Sequence, residues 1–226
     1  MDKLSLVHMV RQSLVKDGPP PLLLLLHGVG SNEYDLFELA PYVDGRFLII
    51  SARAPYTLGR DGYAWFEVNF TGQGPVIDPE QAEASRKKLI TFIDEVVKAY
   101  GANARQVYLM GFSQGAIMSA SVALTNPGLV AGAVLMSGRI LPQIEPLIAD
   151  PEKLRDLPIL VVHGTADAVL PISHGRAGHK WLSELPVDLL YREYPMGHDV
   201  SRESLADVVE WLSVRLNNAS KSEHIT

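Results

Sequence analysis

The sequence predicts an α/β domain built on a mostly parallel sheet with helices on both faces. Short apolar runs alternate along the chain with helix-patterned stretches, the sequence form of repeated βαβ units. Several of those runs end at a glycine-rich or polar loop, as strands do at the carboxyl edge of an open parallel sheet. A third observation places the chemistry. Residues 106–124 read QVYLMGFSQGAIMSASVAL, a strand pattern joined to a helix pattern through Gly111-Phe112-Ser113-Gln114-Gly115.

Taken in order, residues 4–15 fit a short edge strand, with a short helix as the alternative reading. Asp17-Gly18-Pro19-Pro20-Pro21 breaks the chain. The five leucines 22–26 read as a strand buried on both faces and run into His27-Gly28-Val29-Gly30-Ser31-Asn32. Residues 33–41 predict a short helix and 46–50 the next strand. Residues 54–77 have no clear period and carry Trp65-Phe66. The aromatic pair favours an ordered, packed loop over a disordered one. Asp78-Pro79 opens a helix with a capping side chain and proline at the first helical position, and Gly101 suits its end. Strands follow at 107–110, 130–136, 158–162 and 187–194. Residues 116–124 form a packed helix. Ser201 caps the last helix, whose Leu205, Val208, Val209, Leu212 and Leu216 share a face. From about 217 the pattern fades into a frayed tail. No repeat or linker divides residues 1–226, so a single domain is expected, and only 139–157 leave room for a lid.

Composition narrows the function classes. A net charge of −6, from 20 basic and 26 acidic residues, argues against nucleic acid or an anionic membrane as partner. There is no cysteine, which removes disulfides, thiolate-held metals and a cysteine nucleophile and fits a cytoplasmic location. No run approaches the roughly 20 apolar residues of a membrane span, and the first residues lack a signal-peptide core. His174 and His179 are off one helical face, so they do not suggest a metal pair. His27 and His163, each before a glycine at a strand end, read as loop supports.

Gly-x-Ser-x-Gly between strand and helix is the nucleophile elbow. The turn is tight enough to hold its serine in a strained backbone conformation, and a side chain two positions either side would meet neighbouring backbone. Ser113 is thereby lifted from the sheet. A serine hydroxyl needs a base and a group that orients the base. In the α/β-hydrolase arrangement the acid follows a late strand and the histidine precedes the last helix. Asp167, in His163-Gly164-Thr165-Ala166-Asp167, and His198, in Pro195-Met196-Gly197-His198-Asp199, occupy those places. Asp150 and Asp156 remain alternative acids at this level. Oxyanion donors are expected at the backbone N–H groups of Gln114 and Val29.

Leu-His-Gly-Val-Gly, Trp-Phe, Gly-Phe-Ser-Gln-Gly, His-Gly-Thr-Ala-Asp and Met-Gly-His-Asp, in this order, resemble the phospholipase/carboxylesterase family of α/β-hydrolases, acyl-protein thioesterases among them. The resemblance spans residues 22–211. It implies an α/β-hydrolase fold with no large lid domain and a serine esterase that needs no metal or cofactor. The implied partner is a small-molecule ester or thioester. The apolar content is compatible with a monomer or a homodimer. The resemblance supports the triad Ser113, Asp167, His198 and the donors Val29 and Gln114. By the same likeness Trp65 and Phe66 line or brace the acyl pocket and, with Val169, are candidate substrate-binding residues; buried aromatics in a long loop serve equally as packing anchors. Ser31-Asn32, Glu67 and Ala116 depart from thioesterase members, which usually carry Asp-Thr-Gly, Asp and glycine there. Those departures bear on acyl preference more than on the reaction. The residues leave two other readings open: an acyltransferase, and a non-catalytic relative that binds a small ligand.

Overall fold

The alternation of side chains along each strand sorts the protein into three layers. In a computed structural model that describes residues 4–71 and 74–223, the strands and helices are, in order, β1 (His8–Arg11), β2 (Leu22–Leu26), β3 (Leu48–Ala52), β4 (Tyr56–Thr57), β5 (Tyr63–Ala64), β6 (Val68–Thr71), β7 (Gly74–Ile77), α1 (Pro79–Tyr100), β8 (Val107–Phe112), α2 (Gln114–Thr125), β9 (Gly132–Met136), α3 (Pro151–Leu154), β10 (Pro158–Gly164), α4 (Ile172–Leu182), β11 (Asp188–Tyr194) and α5 (Arg202–Glu223). The main sheet has seven strands in the order β1-β3-β2-β8-β9-β10-β11. All its pairings are parallel except β1 with β3, which puts the one antiparallel strand at an edge. Leu22, Leu24 and Leu26 face a core shared with α1 and α2, through residues such as Phe92, Val96 and Val122. Leu23 and Leu25 face the opposite core, closed by Val208, Trp211, Leu212 and Leu216 of α5. The leucine run is uniformly apolar because both of its faces are covered.

Local signals hold where they rest on a single residue. Asp78 accepts from the N–H groups of Glu80 and Gln81, both at 3.0 Å, and Gly101 ends α1 at φ 65°. Ser201 Oγ accepts from the N–H of Ser204 at 3.1 Å at the start of α5. Four details differ from the sequence reading. The helix expected at 33–41 is a 3₁₀ segment, Leu36–Tyr42. The strand expected at 46–50 begins at Leu48, because Phe47 N–H closes a turn onto Asp44 O at 3.2 Å. The 54–77 stretch forms two short antiparallel ribbons, β4–β5 and β6–β7. The tail expected from 217 is helical to Glu223. After β9 the chain makes a 3₁₀ turn, Pro142–Leu147, and the single turn α3, not a lid domain among the described residues. No described helix is long and apolar enough to cross a membrane.

The elbow is where the fold tolerates least. A Cβ on Gly115 would stand 1.8 Å from the carbonyl oxygen of Leu26, and one on Gly111 would stand 2.2 Å from that of Gly115. Both obstacles are backbone, so neither can swing aside. Gly115→Ala is therefore expected to remove more than about 3 kcal/mol of stability, or to prevent folding, by urea denaturation. Gly128→Ala, where no atom lies within 4 Å of the added carbon, is the control and should change stability by less than about 0.5 kcal/mol.

Candidate active site

Three side chains from three strand ends meet at the carboxyl edge of the sheet. Ser113 sits between β8 and α2 with φ 53° and ψ −116°, a conformation L-residues rarely hold. Its N–H donates to Met136 O on the adjacent strand at 2.9 Å, and its carbonyl accepts from Ile117 N–H at 3.1 Å. The backbone is thus fixed on both sides while Oγ points away from the sheet. His198 lies in the turn after β11 and Asp167 in the loop after β10. His198 Nε2 is 2.9 Å from Ser113 Oγ, and His198 Nδ1 is 2.7 Å from Asp167 Oδ2.

The hydrogen-bond inventory assigns the protons. An ionised carboxylate only accepts, so Nδ1 of His198 carries the proton and donates it to Asp167. Nε2 is left with a lone pair aimed at the serine hydroxyl. Asp167 is 5% exposed, and its other oxygen accepts from the N–H groups of Val169 at 2.9 Å and Leu170 at 2.8 Å. Burial pushes its pKa up. The bond from His198 and the two N–H donors outweigh that, and the carboxyl lies below its ordinary value. Phe112 braces the imidazole from the side, ring centroids 4.9 Å apart. Asp199 instead accepts from the N–H of Val200, and Asp150 and Asp156 are exposed, which leaves Asp167 as the acid in contact.

The two histidines read as loop supports do hold loops. His27 Nε2 accepts from Ala54 N–H at 3.0 Å, so Nδ1 bears the proton and donates to Gly28 O at 2.7 Å. Burial lowers the His27 pKa, which agrees with a neutral ring. His163 Nε2 donates to Leu170 O at 2.7 Å and steadies the Asp167 loop. The loop after β2 closes over Ser113: a Cβ on Gly28 would stand 3.3 Å from Ser113 Cβ. Gly30 N–H donates to Tyr63 O and Tyr63 N–H to Ser31 O, both at 2.8 Å, which seats β5 against that loop. Glu33 and Arg53 pair beside it, and Arg53 also reaches the Tyr63 hydroxyl at 3.0 Å. The Arg53 hydrogen bond holds the Glu33 carboxyl below its usual range. Among the described residues the N–H groups of Val29 and Gln114 donate to nothing in the chain.

Trp65 and Phe66, read from sequence as acyl-pocket residues, are 0% and 1% exposed. They brace the site from inside the core rather than offering it a surface, because the core shared with α1 and α2 encloses both rings. Val169 is exposed on the Asp167 loop. The clamp on the aromatic pair is a side chain the spacing did not single out. Gln114 Oε1 accepts from Trp65 N–H at 2.7 Å and its Nε2 donates to Phe66 O at 2.7 Å. Trp65 Nε1 in turn donates to His27 O at 3.0 Å, and Ser85 Oγ donates to Trp65 O. Nothing in Gly-Phe-Ser-Gln-Gly reveals this, since both partners lie 48 or 49 residues away. Among the described residues no cluster of histidine and carboxylate groups could hold a metal ion.

An open, mostly parallel sheet with a serine on a strained elbow and a histidine–carboxylate pair on later strand ends defines an α/β-hydrolase. Within that class the chain belongs to the phospholipase/carboxylesterase family, whose model matches residues 14–216. It is 30% identical over 214 residues to carboxylesterase SOBER1 of Arabidopsis thaliana, covering 88% of this chain and 92% of that protein. It is 28% identical over 210 residues to acyl-protein thioesterase 1 of Kluyveromyces lactis, covering 86% and 92%. The crystal structure of the Bacillus cereus carboxylesterase superposes with a TM-score of 0.80 at 24% identity, over 93% of this chain and 95% of that one.

Two outcomes test the site's supports. Gln114→Leu orphans the Trp65 N–H and Phe66 O and should cost about 2–4 kcal/mol in urea unfolding. The second concerns pH. Asp167 and Glu33 have lowered folded pKa values, so as pH falls past roughly 4 the unfolded chain binds protons that the folded chain does not. Their stabilisation is complete above that range and is lost as pH drops through the lowered values. The urea midpoint should fall between pH 7 and 3, and Glu33→Gln should start lower and fall less. A flat midpoint would contradict both assignments.

Proposed function

We propose that the protein is a serine esterase that hydrolyses carboxylic esters or thioesters through an acyl-enzyme, with Ser113, His198 and Asp167 as its triad. The observation that carries the reading is the unbroken relay Ser113 Oγ–His198 Nε2 and Nδ1–Asp167 Oδ2, at 2.9 and 2.7 Å. His198 takes the serine proton as Oγ attacks the acyl carbon, and gives it to the departing alcohol or thiol. Asp167 stays ionised, fixes the tautomer and stabilises the imidazolium. Water then enters, loses its proton to His198, and attacks the acyl-enzyme, releasing the acid and restoring Ser113.

The attack turns the carbonyl oxygen into an oxyanion, which needs donors already in place. The free N–H groups of Val29 and Gln114 meet that requirement, one on the loop over Ser113 and one at the start of α2. The helix end adds positive potential at the same point. The rigid clamp of Gln114 on Trp65 and Phe66, continued through His27, supports a hole formed before substrate arrives. The family match and the names of the relatives support the ester and thioester class.

The test is covalent labelling. A fluorophosphonate should modify the wild-type chain at one site, and Ser113→Ala should take no label while keeping its fold. Asp167→Asn should lower kcat on the order of 10⁴ on an activated ester. Label retained by Ser113→Ala would overturn the assignment.

A further inference from the structure

A guanidinium loses hydration when it is buried, and folded proteins replace what it loses with acceptors. The chain follows this rule at its other partly or fully buried arginines. Arg11 donates to the carbonyls of Ala40, Val43, Asp44 and Phe47. Arg46 pairs with Asp44, Arg53 with Glu33, Arg86 with Glu83 and Arg215 with Asp188. Arg139 breaks the rule. It is partly buried, burial alone depresses its pKa, and among the described residues its guanidinium makes no hydrogen bond or ion pair.

Its position gives that anomaly a use. The residue lies three places beyond Met136, whose carbonyl accepts the Ser113 N–H at 2.9 Å, and a Cβ on the intervening Gly138 would stand 3.4 Å from Ser113 O. Arg139 therefore leaves the sheet beside the nucleophile. It lines a groove of about 200 Å³ with Ile140, His174 and Trp181. The opposite wall is α4, the helix that follows the Asp167 loop, and the near wall is the chain after β9, the strand paired with the β8 strand that leads into Ser113. Inward it adjoins a narrow cavity bounded by Ala116, Leu135 and Val161. Glu145 stands on the same wall, and among the described residues it forms no ion pair with Arg139. His174 is partly buried as well, with no side-chain partner among the described residues.

We propose that this groove is an anion subsite of the esterase, which takes a carboxylate or phosphate carried on the ester. The proposal rests on Ser113 being the nucleophile. Arg139 receives the anion through its planar fork, His174 offers a ring N–H beside it, and Ile140 and Trp181 cover the apolar link to the scissile bond. A purely apolar substrate would strip the guanidinium of its remaining water and return nothing, whereas an anion replaces that water with charge-assisted hydrogen bonds.

Two matched pairs test this: ethyl hydrogen adipate against ethyl hexanoate, and butyrylglycerol phosphate against butyrylglycerol. For at least one pair the wild-type ratio of kcat/KM, anionic over neutral, should exceed one. Arg139→Met should lower that ratio roughly 10- to 100-fold, and Arg139→Lys by less, since a point charge replaces the fork. The pair that responds tells carboxylate from phosphate. Neutral-ester turnover reports that each variant is folded. A wild-type ratio at or below one for both pairs, or ratios that Arg139→Met leaves unmoved, overturns the subsite. Calorimetric titration of Ser113→Ala with the same esters reads binding without turnover. There the anionic member should bind more tightly, and adding Arg139→Met should erase the difference; equal binding overturns the proposal. Failure of the nucleophile assignment has a separate signature, turnover that survives in Ser113→Ala.

Discussion

Ser113 holds its backbone conformation because two neighbours have no side chain. The carbonyl of Leu26 occupies the space where a Cβ of Gly115 would be, and the backbone of Gly115 fills the corresponding space at Gly111. That close approach binds β2, β8 and the start of α2 into one rigid corner. The corner sets the direction of Oγ. It also brings the loop after β2 over Ser113, where a Cβ on Gly28 would stand 3.3 Å from Ser113 Cβ. Strain at Ser113 persists because the surrounding sheet over-determines it, with hydrogen bonds to Met136 and Ile117 on either side.

Around this corner the polar groups are arranged so that each part of the proposed site is held by a group outside the proposed triad. The Asp167 carboxylate is fixed by two backbone N–H groups, and its loop by His163. The loop after β2 is fixed by His27 from below, by Tyr63 and the Glu33–Arg53 pair from the side, and by Trp65 through the His27 carbonyl. Gln114 links the elbow to that system with both ends of its amide. Buried hydrogen-bond networks of this kind are costly to break in part, which makes them rigid supports. Arg139 stands apart as the partly buried charge the network leaves unanswered.

The elbow and the order of Ser113, Asp167 and His198 were legible because each rests on local sequence: a glycine spacing, a strand end, a position before the last helix. The leucine run, the Asp78 cap and the Gly101 terminator were legible for the same reason. The ribbons within 54–77 were not, since strands of two to four residues are too short to show a period, although their pairing is local. Gln114 looked like a backbone donor alone because its side-chain partners lie in a distant loop. Sequence left Trp65 and Phe66 open between lining a pocket and anchoring a loop, and packing shows that both rings are enclosed. The missing partner of Arg139 is a property of the folded chain and leaves no mark on the sequence.

The most direct measurement of the central claim is a crystal structure of the fluorophosphonate adduct. The phosphorus should be bonded to Ser113 Oγ, with its oxygen at about 2.7–3.1 Å from the N–H groups of both Val29 and Gln114 and His198 Nε2 still within reach. A phosphoryl oxygen turned to solvent, or an adduct on another residue, would contradict the account.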